Sequence, residues 1–239
     1  MKYTKLDLQE IPIEQAHGGT GSRQVLIQQQ YLSTPHLEAI TKGYLPVGNM
    51  FDWHNHIDTD EVFIVTQGQG KFYYRQKDEE QSFDYGKDDV IIAPANLFHK
   101  IVAEGNEETQ GFFFRVKAKQ NTTHSLEFVR RNIKDIPFEP VHNVPDTRQT
   151  LVLSDMVATD YLEAITKGTL RSTDHWEVHS HADTDEIAIV LQGQGTWVVD
   201  NERILYKEGT IVIVQGNTDH QQIAAGDIPT EFFFIRVKA

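Results

Sequence analysis

Hydrophobic positions in this chain come in short bursts of strand type, and few segments show a helical period. Glu61-Val62-Phe63-Ile64-Val65-Thr66, Asp89-Val90-Ile91-Ile92-Ala93 and Gly111-Phe112-Phe113-Phe114-Arg115-Val116 are rich in β-branched or aromatic residues and bounded by turn formers. The Gln-Gly-Gln-Gly runs at 67–70 and 192–195 supply the positive φ that tight turns need. Gln76-Lys77-Asp78-Glu79-Glu80-Gln81 reads as a solvated hairpin tip. Ser125 to Asn132 is the best candidate for a short helix. Many short strands with little helix predict an all-β protein built as a barrel or double-sheet jelly roll.

The pattern occurs twice. Leu37-Glu38-Ala39-Ile40-Thr41-Lys42-Gly43 recurs as Leu162-Glu163-Ala164-Ile165-Thr166-Lys167-Gly168, Arg23-Gln24 as Arg148-Gln149, and His17 as His142. The displacement is that of His54 to His179 (179 − 54 = 125), and it falls to that of His99 to His220 (220 − 99 = 121). The shortening lies between Lys71 and Asp89, around the longer hairpin tip. A unit of this size is a domain, so two barrels are expected, residues 1–120 and 121–239, with a boundary near 119–126. Arg115-Val116-Lys117-Ala118 and Arg236-Val237-Lys238-Ala239 are matching ends, which makes both copies read as complete.

Composition adds limits rather than identity. The chain has 239 residues, 39% hydrophobic and 24% charged, as expected for a soluble globular protein. A net charge of -13 argues against nucleic-acid partners and anionic membrane surfaces, which reward basic patches. No run approaches the roughly 20 apolar residues of a spanning helix, and the start has no apolar core of a secretory signal. The expected location is therefore cytoplasmic. Cysteine is absent, so any metal is held by nitrogen and oxygen.

Such donors are present, also twice. His54 and His56 lie at i and i+2, which in a strand places both rings on one face. Four residues then allow a turn into a neighbouring strand headed by Glu61, and barrel closure would return His99 to the group. His179, His181, Glu186 and His220 repeat the set. Three imidazoles and a carboxylate suit a divalent transition metal. A lone histidine on a strand is more often a core or surface residue, but two sets at matching spacing favour two metal ions per chain.

These residues carry a resemblance. His-x-His, four residues, Glu, six residues, Gly is matched by His54, His56, Glu61 and Gly68, and again by His179, His181, Glu186 and Gly193. This resembles the first motif of the cupin family, in tandem or bicupin form. The second motif (Gly, five residues, Pro-x-Gly, two residues, His) is met more loosely. Gly209, Gln215-Gly216-Asn217 and His220 offer it in one copy, Pro94-Ala95-Asn96 and His99 in the other, where Asp88 replaces the glycine. The resemblance implies conical jelly-roll barrels with Fe, Mn, Ni, Cu or Zn inside. It implies little about chemistry, because cupins include dioxygenases, isomerases, lyases and proteins without catalysis.

Strand alternation extended back from the ligands predicts unequal cavities. Met50, Asp52, Phe63 and Ile101 would line the first; His175, Glu177, Ala188 and Gln222 would line the second. A bulge would flip every side chain beyond it. The polar second lining points to catalysis there, with Glu186, His175 and Glu177 as candidate catalytic groups and Glu61 as their counterpart. Arg23, Arg148, Lys42 and Lys167 could reach an anionic substrate, though surface roles are commoner; His17 and His142 read as structural. Trp53 and Trp176 are expected on the outer face. The reading adopted is a dioxygenase acting on a small organic, possibly aromatic molecule, as in quercetin-cleaving bicupins. The alternatives are a non-redox isomerase or lyase of a small carbonyl or carboxylate compound, or a non-catalytic binding protein. Expected partners are a small-molecule substrate and, as an allowed assembly, a second copy in a homodimer.

Overall fold

The computed structural model describes residues 2–32, 34–76, 79–118, 128–157 and 159–238. Among them the chain is all β, with 3-10 turns of three residues as the helical element. The first half builds a seven-stranded sheet in the spatial order Val129–Asn132, Asp89–Ala93, Thr59–Gln67, Thr109–Lys117, Leu37–Leu45, Gly21–Gln28, Ile13–Ala16. A smaller sheet of Met50–His54, His99–Glu104, Gln69–Gln76 and Glu79–Gly86 closes the barrel. The second half repeats the plan with Tyr3–Asp7, Thr210–Val214, Thr184–Gln192, Thr230–Lys238, Leu162–Leu170, Val144–Leu153 and Glu139–Val141. Its smaller sheet holds Glu202–Lys207, Gln194–Val199 and His220–Ala225. These are two tandem jelly-roll barrels.

One element differs from the sequence expectation. Val129–Asn132 is a strand rather than the end of a helix, pairing antiparallel with Asp89–Ala93; residues 125–127 of that segment lie outside the described ones. Tertiary pairing decides here: a short segment of weak period is captured by an open sheet edge, which supplies ladder hydrogen bonds a brief helix could not match. The expected boundary near 119–126 lies wholly outside the described residues. At the hairpin tip Gln76 pairs with Glu79, with residues 77 and 78 undescribed.

The barrels exchange edge strands. Tyr3–Asp7, at the start of the first half, pairs with Thr210–Val214 of the second; Val129–Asn132, its equivalent, pairs back onto the first. Each exchanged strand ends in the same cap, with Asp7 accepting from the Gln9 amide and Asn132 from the Lys134 amide. Gln24 and Gln149 then fix the following turns, each donating to two carbonyls, Leu8 and Ile11 or Ile133 and Ile136. This accounts for the repeated Arg-Gln pair: the glutamine ties the crossover, and Arg23 and Arg148 bridge Glu14 and Glu139.

Burial is three-layered. Each barrel has its own interior cluster, one around Phe63, Phe72, Ile91 and Phe113, the other around Trp176, Trp197, Phe232 and Phe234. Between them the outer faces of the two large sheets form a shared core containing Ile40, Ile64, Phe114, Ile165, Ile187 and Ile235. Thr59–Gln67 and Thr184–Gln192 are buried on both faces, which is why their sequences run continuously apolar instead of alternating. Equivalent residues meet across this interface: His36 stacks on Tyr161, and Phe112 meets Phe233 edge to face at 5.8 Å. The halves are thus related by a pseudo-two-fold axis.

Candidate metal centres

Both cages are built by the closing sheet meeting the large sheet. His54 ends the strand Met50–His54 and pairs with His99, the first residue of His99–Glu104. Glu61 lies in Thr59–Gln67, reached through a turn in which Asp58 takes positive φ. In the second half an isolated bridge joins His179 to His220, and Asp183 takes the same turn conformation before Glu186. The ligand atoms of His54, His56, Glu61 and His99 lie within 4.8 Å of one another, as do those of His179, His181, Glu186 and His220.

The imidazoles are pre-oriented. Nδ1 of His54, His99, His179 and His220 faces the carbonyl two residues earlier, at 2.7, 3.2, 2.9 and 2.9 Å. A carbonyl only accepts, so each Nδ1 carries the proton and each Nε2 keeps its lone pair for the cage centre. His56 and His181 Nε2 lie 3.0 Å from Glu61 Oε2 and Glu186 Oε2, and His99 and His220 Nε2 lie 3.4 and 3.2 Å from the Oε1 atoms. None of these four nitrogens is aligned as a hydrogen bond, and Glu186 Oε1 is likewise orphaned and buried. Buried polar atoms without partners are rare in native proteins. Lone pairs converging on one point are what a divalent cation satisfies, so the donor sets fit, and the chain carries two metal-binding sites.

The electrostatics agree. Burial pushes Glu61 and Glu186 up, but the surrounding histidines (His56 and His99; His181 and His220) outweigh it and hold both carboxyls well below their usual range. Burial first, then the neighbouring His99 or His220, lowers His54 and His179 to about 4. The cages therefore present anionic carboxylates with His54 and His179 neutral, the ligating forms, while Glu61 and Glu186 outweigh burial at His56 and His220 and raise both in the metal-free protein.

The cavities above the cages are unequal. The first has a volume of about 40 Å³ and is filled by Phe51, Ile101 and Phe113; the second reaches about 300 Å³. Phe63 stacks flat on Phe113 at 4.3 Å and backs it from behind, whereas its equivalent Ala188 is a small residue of the barrel core. Ile101 and Gln222 line their cavities as expected.

The rest of the expected lining is corrected. Met50 and Asp52 are exposed, as are His175 and Glu177, and Phe51 and Trp176 face inward in their place. The cause is a bulge. His54 pairs with His99 but Phe51 with Ile101, so three residues on one strand span two on the other. The second half likewise carries one extra residue, four spanning three between the bridges His179–His220 and His175–Ile223. Trp176 is thus a cavity residue, while Trp53 stays on the outer face under Arg75 and Lys100. Phe63 and Ala188 sit one layer behind the cavities.

Several cavity residues carried only a weak signal in the sequence. His17 and His142 lie against the ligands His54 and His179, with ring centroids at 4.5 and 4.0 Å, and both hold a φ of 49°. Arg23 and Arg115 line the first cavity, Arg148 and Arg236 the second. Each sits beside a glutamate that orients it, as Glu163 does for Arg236 at 2.9 Å. Their recurrence at the repeat displacement was the available signal. Lys42 and Lys167 point away, into the cleft between the barrels.

Fold and cages together define a metal-binding protein of two tandem jelly-roll barrels. The cupin domain family matches residues 43–114 and 163–236, more than half of the chain, and the chain belongs to that family. Among solved structures it is similar to Bacillus subtilis oxalate decarboxylase (TM-score 0.75, 14% identity, 98% of this chain and 76% of that one). It is also similar to vicilin from Corylus avellana, hazelnut (TM-score 0.72, 10% identity, 98% and 84%). The bacterial decarboxylase is described with Mn(II) centres. A search of curated protein sequences returns no match. No helix among the described residues is long and apolar enough to cross a membrane.

Proposed function

We propose that the chain is a metal-dependent lyase or isomerase of a small carboxylate or carbonyl compound, acting in the second barrel. The observation that carries this is the cavity of about 300 Å³ over His179, His181 and Glu186, walled by His142, Arg148, Gln222 and Arg236. Gln222 is buried, and its Oε1 has no hydrogen-bond partner. An orphaned amide oxygen beside two arginines suits a ligand bearing both an anionic group and a hydrogen-bond donor. A metal held by the cage would polarise the carbonyl or carboxylate as a Lewis acid. The arginines would orient the anionic group, Trp176 and Phe234 would exclude water, and Gln222 would fix the remaining polar end.

This reading favours the non-redox alternative over the dioxygenase expected from sequence. The fold neighbour whose name carries an activity is a decarboxylase of a small carboxylate. The first barrel, with its filled cavity, would then hold metal mainly for stability. The test is turnover of a panel of small carboxylates by Mn-loaded protein, with and without air. Equal turnover in both atmospheres supports the proposal; oxygen uptake matching substrate loss would return the dioxygenase.

A further inference from the structure

A further cavity lies away from both cages, on the pseudo-two-fold axis between the barrels, with a volume of about 330 Å³. Its lining is mixed: Phe112, Val65 and Leu8 and their equivalents Phe233, Val190 and Ile133 supply apolar walls, and Asp88, Glu208 and Glu231 stand among the polar residues, Asp88 paired with Lys134. Its cations are Lys42 and Lys167, equivalent residues of the two repeats, and Lys87 at the rim. The symmetry of shape is not matched by symmetry of charge. Lys167 is paired with Glu231 at 3.0 Å. Gln110 occupies the position equivalent to Glu231, and its amide is turned to Glu108 at 3.1 Å.

Lys42 accordingly forms no ion pair among the described residues. Its ammonium lies over the rings of Tyr44 and Phe112, at 5.3 and 5.8 Å. Glu208 and Glu108 are the acids whose charge it feels, and neither reaches ion-pair distance; burial still pushes its pKa down. A half-buried ammonium with only ring faces for partners retains unused donors at the wall of the cleft it lines.

We propose that the cleft between the barrels is a separate binding site for a small carboxylate with an apolar body, its carboxylate meeting Lys42 and its body lying against Val65, Val190 and the touching pair Phe112 and Phe233. Such a ligand would touch both barrels at once, and so would tie the exchanged halves together.

Benzoate, hexanoate and inorganic phosphate, titrated calorimetrically into the full-length Mn-loaded protein, test the assignment. Benzoate or hexanoate should bind, and phosphate, which has no apolar body, should bind at least about tenfold more weakly. Lys42→Met keeps the alkyl length and removes the charge, and should weaken benzoate by about tenfold or more. Gln110→Glu supplies the missing carboxylate in place of the amide that meets Glu108 and should do the same while leaving Lys42 intact. The double variant His179→Ala and His181→Ala, which dismantles the second cage, should leave benzoate binding in place. No binding of either carboxylate, or benzoate affinity in Lys42→Met and Gln110→Glu equal to that of the unaltered protein, would overturn the site. Loss of binding in the cage variant with retention in Lys42→Met would assign the carboxylate to the metal cavity instead, and overturn it equally.

Discussion

At the scale of single residues, the cages rest on a division of labour within each imidazole. Nδ1 is spent on a backbone carbonyl and Nε2 faces inward, so removing one ring removes a donor whose direction was already fixed. Elemental analysis of metal-supplemented protein should therefore approach two ions per chain, and the double variant His179→Ala and His181→Ala should lose one of them. Glu186→Ala should abolish turnover, while Glu61→Ala should mainly lower metal content and stability, because only the second cage opens into a cavity of substrate size. Full activity in a folded Glu186→Ala protein would move the chemistry to the first barrel. The depressed pKa of His54 and His179 has a definite sign. In the metal-free protein these groups stay neutral while their unfolded counterparts, near 6.5, take up protons, so their contribution to stability is lost as pH falls from about 6.5 toward 4. His56 and His220, raised above 6.5, work in the opposite sense in their own window, since their contribution is full at low pH and fades as pH rises through their folded values. Histidine-resolved NMR titration of metal-free protein should show His54 and His179 protonating well below His56 and His220.

At the scale of elements, the turn glycines set how closely the sheets approach. Gly68 and Gly193 hold φ of 79° and 84°, and two residues on, Gly70 and Gly195 lie against a neighbouring strand and a tyrosine hydroxyl. A Cβ on Gly195 would overlap the Ile223 carbonyl and the Tyr206 hydroxyl. The Ile223 carbonyl belongs to the strand that begins with the ligand His220, so the substitution strains the cage as well as the turn. Gly195→Ala should lower the melting temperature and cost about 1–3 kcal/mol. Thermal melts with metal analysis would check it, an unchanged melt and full metal content being the contrary result. The same elements explain the limit of alternation as a guide. Phe63 and Ala188 lie beyond the bulged strands yet back the cavity walls, so volume is set one layer behind the surface that a ligand would touch.

At the scale of the whole molecule, the exchanged strands make the two barrels interdependent. Residues 1–120 and 121–239 remain our proposed domain division by repeat, yet Thr210–Val214 gains its outer partner only from Tyr3–Asp7. The isolated segment 128–239 should accordingly expose a long apolar edge and the face now shared with the first barrel, and should aggregate. The intact chain should melt in one cooperative transition, because the shared core contains residues of both halves. Two resolved calorimetric transitions, or a soluble and monomeric 128–239 fragment, would contradict this.

The sequence by itself determined whatever is encoded locally and repeated. The all-β class follows from strand-length apolar bursts with turn glycines. The tandem architecture follows from two constant displacements, and the eight donors from a spacing repeated in both copies, although His56 and His181 lie just past the strand end at His54 and the bridge at His179. These depend on backbone periodicity, which a neighbour cannot alter without breaking ladder hydrogen bonds. Tertiary structure decided what depends on long-range pairing. The bulges turned Phe51 and Trp176 inward and sent Met50, Asp52, His175 and Glu177 to the surface, since one extra residue in a strand reverses its faces. The open edge at Asp89–Ala93 drew Val129–Asn132 into a strand, and barrel closure carried His17, His142 and the paired arginines to the cages from segments that showed no ligand spacing of their own. Which cavity is open also depended on packing in depth, through Phe63 behind Phe113 and Ala188 in the equivalent place.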